Sequence, residues 1–167
     1  MTEDDWTIMT KWETDPEVLY WADTDPVEAR TLEEVQAIFR GVSQRAYCFI
    51  IELGGKPVGD CWLQEVNLEK ILKKFPGKDC RRIDLVIGEK GLWGQGLGTD
   101  VIRTLTKFAF NHGKADLIFG ILGDYNERSQ RAFTKAGYSI VMKLKEPTQS
   151  KAKFSHVLAI EKSAFTG

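Results

Sequence analysis

Cysteine is scarce in the 167-residue sequence: Cys48, Cys61 and Cys80 are an odd number with no C-x-x-C spacing. That argues against a disulfide framework and a cysteine zinc site. Two histidines, His112 and His156, make a His-rich metal site equally unexpected, so no metal is anticipated. No run of 18 apolar residues occurs, so no membrane span is expected. The first residues, Met1-Thr-Glu-Asp-Asp-Trp6, are acidic and lack the apolar stretch of a secretory signal. Neither sign of charge dominates: 23 basic residues face 24 acidic ones, a net charge of −1. A domain so neutral lacks the basic field of a nucleic-acid binder. A reducing, cytoplasmic setting fits this pattern, with neither nucleic acid nor membrane as partner.

What is present describes a globular protein. Hydrophobic residues are 43% and charged residues 28%, too apolar for disorder. The length suits one domain, 1–167, able to bury about 70% of its unfolded surface. Asp4 or Asp5 is placed to cap a short helix reaching Trp12, and Pro16 to sit in the first turn of another. Residues 22–30 read as a loop. Thr31-Leu-Glu-Glu34 is a capping box opening a helix with Leu32, Val35, Ile38 and Phe39 on one face. Ala46–Leu53 and Pro57–Val66 form a hairpin around Gly54-Gly55. A short basic helix and loop over 67–81 precede a strand from Ile83 to Gly88, and the run Lys70 to Lys78 reads as a solvated face.

A glycine cluster follows, Gly91-Leu-Trp-Gly94-Gln-Gly96-Leu-Gly98-Thr99, feeding a long helix that Asn111-His112-Gly113 stops. His112 there reads as a cation at the helix end. A strand over 115–122, a helix over 126–136 closed by Gly137, and strands over 138–144 and 153–161 complete the chain, with His156 on the last. The class is mixed α+β, a mostly antiparallel sheet of about six strands flanked by helices.

The glycines let backbone approach a ligand closely with positive φ. Successive amides at a helix N-terminus form an anion site, and a pyrophosphate suits it. The spacing G-x-G-x-G is neither the dinucleotide fingerprint nor a Walker A loop. Alone, the cluster is equally a turn that tightens a strand–helix corner.

Ile83-Asp-Leu-Val-Ile-Gly-Glu-Lys-Gly-Leu-Trp-Gly-Gln-Gly-Leu-Gly-Thr99 and the helix behind it resemble the acetyl-CoA motif of the GCN5-related N-acetyltransferases (GNAT). Asn126-Glu-Arg-Ser-Gln-Arg-Ala-Phe-Thr-Lys-Ala-Gly-Tyr138 resembles the family's later Asn-x-x-(Ala/Ser)…Lys-x-Gly-(Phe/Tyr) helix, in order and at family spacing. The likeness covers roughly residues 5–162. Three features resemble the aminoglycoside 6′-N-acetyltransferase branch: Asp15-Pro-Glu-Val-Leu-Tyr-Trp21, the helix start at Thr31, and an Asp ahead of the apolar end of the motif strand. The Trp-Gly-x-Gly form and Ser129 also resemble ribosomal-protein N-terminal acetyltransferases.

The resemblance implies acetyl-CoA as co-substrate. Backbone of Val86, Ile87 and Gly88 would pair with the pantetheine arm, amides from Gly94, Gln95, Gly96, Leu97 and Gly98 through Thr99 would hold the pyrophosphate, and Asn126 would contact the cofactor. Asn126 is also a plain helix N-cap. Asp84 matches the general base of the aminoglycoside enzymes, which an attacking amine needs because it is protonated at neutral pH. The ordinary alternative is a pairing of Asp84 with Arg81 or Arg82.

The chain departs from the family at several points. Trp93 stands where Arg or Gln is usual, to pack over the cofactor edge or in the core. Phe133 replaces the tyrosine that protonates the leaving thiolate, leaving an unassisted departure, water or another residue such as Tyr125. Ile121 stands where the aminoglycoside enzymes carry an Asp. The family's first strand is absent or very short. Trp21 with Asp23, Asp25, Asp60, Glu65 and Asp84 are candidates for a cationic acceptor pocket; except for Asp84, a surface charge (for Trp21, a core aromatic) is the ordinary reading.

The implied function is therefore transfer of acetyl from acetyl-CoA to a primary amine of a small molecule, aminoglycoside-like compounds included, with Asp84 as base. The alternatives are a protein N-terminal acetyltransferase and a non-catalytic acetyl-CoA-binding module. The oligomeric state is left open, a homodimer among the options.

Overall fold

The computed structural model describes residues 1–26 and 28–166; Val27, inside the expected 22–30 loop, lies outside them. A 3-10 turn, Glu3–Asp5, leads into α1 (Trp6–Glu13) and α2 (Pro16–Ala22). Asp15 caps α2: its Oδ1 accepts the amides of Glu17 at 2.9 Å and Val18 at 3.3 Å. Pro16 occupies the first helical position, where no partner for an N–H is needed. α3 (Leu32–Ser43) starts in the expected capping box, Thr31 Oγ1 accepting the Glu34 amide at 3.2 Å while Glu34 Oε2 accepts the Thr31 amide at 2.7 Å. Val35 and Phe39 are buried; Leu32, in the first turn, stays exposed.

Six strands form one sheet: β1 (Ala46–Leu53), β2 (Lys56–Glu65), β3 (Cys80–Ile87), β4 (Leu117–Gly123), β5 (Ser139–Lys145) and β6 (Phe154–Glu161), in the order β1-β2-β3-β4-β6-β5. Gly54 and Gly55 carry φ of +60° and +74°, as a two-residue hairpin turn requires. Among the described residues no strand precedes α1. β3 begins three residues earlier than its apolar run suggests, because Arg81 and Arg82 continue the ladder opposite Glu65 and Gln64. The helices α4 (Glu69–Lys74), α5 (Leu97–Asn111) and α6 (Glu127–Lys135) complete the fold. After α5 the left-handed residue is Lys114, with φ +56°, rather than Gly113.

Both faces of the sheet are covered. Ile102, Leu105 and Phe110 of α5 pack with Cys61, Leu63, Ile83 and Ile118 on one side. On the other, Trp6, Met9, Trp12, Val35 and Phe39 meet Ile50, Trp62 and Val86. Each such large apolar side chain contributes about 1.5–3 kcal/mol.

All strand pairs are antiparallel but one. β3 and β4 run parallel and pair only over Cys80–Arg82 against Leu117–Phe119. Beyond that point the two strands part, and the sheet opens.

Candidate active site

The opening between β3 and β4 holds two adjoining cavities. The first, of 320 Å³, lies among the end of β3, the glycine turn, the start of α5 and α6. At the end of β3 the amides of Gly88 (2.9 Å) and Glu89 (3.2 Å) both donate to the Val58 carbonyl. Two amides on one acceptor bulge the strand out of its ladder. The close approach requires glycine: a Cβ at Gly88 would lie 2.1 Å from the Trp12 indole.

Gly94 and Gly96 have φ of +78° and +93°, with open space where a side chain would go. Backbone conformation, not crowding, selects glycine there. Among the described residues no acceptor takes the amides of Gly94 to Gly98. The Thr99 amide differs from the sequence expectation: it is spent on Gly96 O at 2.9 Å, closing the first turn of α5. Arg128, Arg131 and Lys135, spaced i, i+3, i+7 on one face of α6, also line this cavity. Free amides at the N-terminus of a 15-residue helix, opposite three cations, suit a bound anion.

Trp93 walls the same cavity, and its Nε1 donates to the Ile87 carbonyl at 2.6 Å. The Arg128 guanidinium lies over Trp93 at 4.0 Å and over Trp21 at 4.8 Å. Two of the backbone groups expected to pair with pantetheine, the Ile87 carbonyl and the Gly88 amide, are therefore engaged within the protein, because of the bulge and this indole. The Gln95 side chain folds back to Gly91 O at 2.6 Å, away from the cavity wall, and leaves its amide, the group expected to meet the pyrophosphate, without a partner among the described residues. Asn126 caps α6, accepting the Ser129 amide at 3.1 Å, and donates to Trp21 O at 2.9 Å.

The second cavity, of 270 Å³, is enclosed by β2, β3, the end of β4, α1 and the segment between α2 and α3. Carboxylates dominate it: Glu13, Asp23, Asp60 and Asp84 against Arg30 and Arg82. Arg30 bridges Glu13 and, at 2.9 Å, Asp23. Burial raises the Glu13 carboxyl above its usual value while Arg30 opposes the rise. Asp84 Oδ2 accepts Arg82 Nε at 2.8 Å and Gln64 Nε2 at 2.7 Å.

Asp60 is 4% exposed, not the surface charge its sequence context suggests. Burial pushes its carboxyl up to about 7, Glu13 adding to the rise and a hydrogen bond from Trp62 opposing it. Tyr125 reaches this cavity, yet its hydroxyl donates to the carbonyl of Asp23 at 2.6 Å, and burial pushes its pKa up to about 12. Ile121 and Phe133 give apolar wall.

Trp21, Ala22, Leu85, Val86, Asn126 and Ser129 line both cavities. Two acceptor candidates fall elsewhere. Glu65 is exposed at the unsplit end of β2 beside Arg81, 3.3 Å away, and Asp25 is exposed and bonds Ser150 at 2.6 Å. Residues not singled out from sequence are Glu13 and Arg30 in the acidic cavity, Gln64 behind Asp84, and Arg128, Arg131 and Lys135 in the other cavity; Arg82 pairs with Asp84 as the ordinary sequence alternative had it. The i, i+3, i+7 spacing on α6 is a visible signal; Glu13 and Arg30 meet only through the intervening turn.

A family model described as an acetyltransferase (GNAT) domain matches residues 1–139. An aminoglycoside N(6′)-acetyltransferase type 1 of Klebsiella pneumoniae is 28% identical over 153 residues, 83% of this chain and 71% of that protein. A crystal structure of aminoglycoside acetyltransferase AAC(6′)-Ib with coenzyme A and kanamycin matches at TM-score 0.83 and 22% identity, over 98% of this chain and 93% of that one. Spermidine N-acetyltransferase from Vibrio cholerae, in complex with CoA and spermine, matches at TM-score 0.79 and 12% identity, over 100% and 95%. These two structures share the fold. The family model spans most of the sequence and both motifs around the split sheet fall in its order, so the chain belongs to the GNAT acetyltransferases and is an acetyl-CoA-dependent N-acetyltransferase.

Proposed function

We propose that the enzyme acetylates the primary amine of a small cationic molecule held in the acidic cavity. The observation that carries this reading is the junction of that cavity with the glycine-turn cavity, through Trp21, Ala22, Leu85, Val86, Asn126 and Ser129. The free amides of Gly94 to Gly98, with Arg128, Arg131 and Lys135 nearby, would hold the diphosphate. The apolar wall of Leu85, Val86, Leu92 and Leu97 would take the pantetheine arm. Bound there, acetyl-CoA supplies the thioester carbonyl that an amine attacks.

Four carboxylates against two guanidiniums select a cation. Asp84, its Oδ2 locked by Arg82 and Gln64, keeps Oδ1 to hold an ammonium. The size of 270 Å³ falls just below the range of about 300–1,000 Å³ typical of drug-sized sites, which favours a small amine over a peptide. Aminoglycoside and spermine complexes among the structural neighbours support an amine-bearing acceptor. Ile121 at the wall disfavours polycationic aminoglycosides relative to smaller amines.

The test is CoA release over a panel of monoamines, polyamines, aminoglycosides and short peptides. Fastest turnover is expected on a small amine. Fastest turnover on peptides would support the N-terminal reading instead, and efficient kanamycin turnover would show that Ile121 costs nothing.

A further inference from the structure

We propose that Asp60, rather than Asp84, takes the proton from the acceptor amine. The proposal rests on the acetyl-transfer reading above and names a residue for its proton step.

The register places Asp60 directly opposite Val86, and Trp62 opposite Asp84. Opposed residues in an antiparallel pair share a face, with Cβ atoms about 4.5–5.5 Å apart. Asp60 thus stands beside Val86, which with its neighbour Leu85 is the part of β3 that lines both cavities, one alternation nearer the glycine turn than Asp84. An amine reaching from the acidic cavity toward the other passes Asp60.

Its hydrogen bonding suits the task. Asp60 Oδ1 accepts Trp62 Nε1 at 3.1 Å. No described residue donates to Oδ2. Among the described residues no fully buried side-chain polar atom is left without a partner, so Oδ2 is open to the cavity Asp60 lines. Asp84 is tied differently: its Oδ2 takes both Arg82 and Gln64, and the remaining Oδ1 is the oxygen left to hold the ammonium.

The charges around Asp60 act in the same direction. Glu13 faces it from α1, Asp23 and Arg30 from the segment after α2, and Arg82 and Asp84 from β3; Cys48 is the thiol on β1. Arg30 is spent on Glu13 and Asp23, and Arg82 on Asp84. No guanidinium is left to pair with Asp60. Burial then holds the carboxyl near 7, in the range where a general base is effective at neutral pH.

The step balances. The ammonium R–NH₃⁺ gives one proton to the Asp60 carboxylate. The freed lone pair forms the C–N bond at the thioester carbon, and the C–S bond breaks with its electrons on sulfur. A second proton leaves nitrogen and ends on the sulfur, and the third stays on the amide. Asp60–COOH later returns its proton to water.

The test compares wild type, Asp60→Asn, Trp62→Phe and Asp84→Asn with the best amine of the panel. Asp60→Asn should lose about 10²–10⁴-fold in kcat and the acid limb of the kcat/KM profile near pH 7, while binding CoA normally. Trp62→Phe removes a donor that favours the ionised carboxylate, so its acid limb should move to higher pH. Infrared difference spectra of the ligand-free protein should show a carboxylic-acid band that bleaches around pH 7 and is missing in Asp60→Asn. Turnover by wild type with kcat and acid limb intact in Asp60→Asn, or no such band, would overturn the assignment of Asp60 alone. No turnover of any amine by wild type would overturn the acetyl-transfer reading, and this proposal with it.

Discussion

Asp60 and Asp84 stand on neighbouring strands with side chains on one face, yet their contacts give them different duties. Two donors hold Asp84 Oδ2, whereas one indole holds Asp60 Oδ1. Asp84→Asn should therefore raise KM for cationic amines by about 10- to 100-fold, the loss of one charge-assisted contact of about 1.5–3 kcal/mol. Its kcat should stay within a few-fold of wild type. Steady-state kinetics separates the two: a collapse of kcat at constant KM would return the proton step to Asp84. The motif makes Asp84 legible in the sequence; Asp60 appears there only as one of several acceptor-pocket acids, and its burial is not legible. Along β2, Cys61 and Leu63 alternate with Asp60 and Trp62, and period-two reasoning sends an Asp opposite a buried residue to solvent. The covering of that second face by α1 and α3 is a long-range event that no local pattern announces.

At the scale of elements, the glycine turn and α6 are legible because their signals are local. Positive φ at Gly94 and Gly96, and Asn126 at the N-cap, are set by neighbours in the chain. Arg81 and Arg82 hide the start of β3, since a half-solvated strand tolerates charge where an apolar run is sought. The engagement of the Ile87 carbonyl by Trp93 depends on the bulge, again beyond local pattern. Gly96→Val tests the turn itself. A β-branched residue at φ +93° is strained, by roughly 1–2 kcal/mol or more, and its side chain points into space that a diphosphate would fill. Calorimetry should show CoA affinity reduced about tenfold or more with the far-UV spectrum unchanged; undiminished affinity would place the diphosphate elsewhere.

For the whole molecule, the acidic cavity sets a stability profile that runs against common behaviour. An acid whose pKa is raised on folding binds more protons in the folded state than in the unfolded one. Stability then falls as pH rises through the window between the two values. For Asp60 the window runs from 3.8 to about 7; Glu13 is raised as well and acts in the same sense. Asp15 and Glu89, lowered chiefly by hydrogen bonds from Lys90 and Lys11, act oppositely, and only below the ordinary carboxylate range. At about 1.36 kcal/mol per pH unit, ionising Asp60 in the folded protein costs about 4 kcal/mol by pH 8. Asp60→Asn keeps an acceptor for Trp62 and abolishes that cost. Its melting temperature should exceed that of wild type at pH 8, converge with it near pH 4, and fall less steeply in between, Glu13 still contributing its share. Addition of a cationic acceptor amine at pH 8 should raise the wild-type melting temperature more than that of the variant, because the ammonium restores the missing counter-charge. Parallel melting curves for the two proteins from pH 4 to 8 would show that Asp60 is ionised throughout, and that the carboxyl costs the fold nothing.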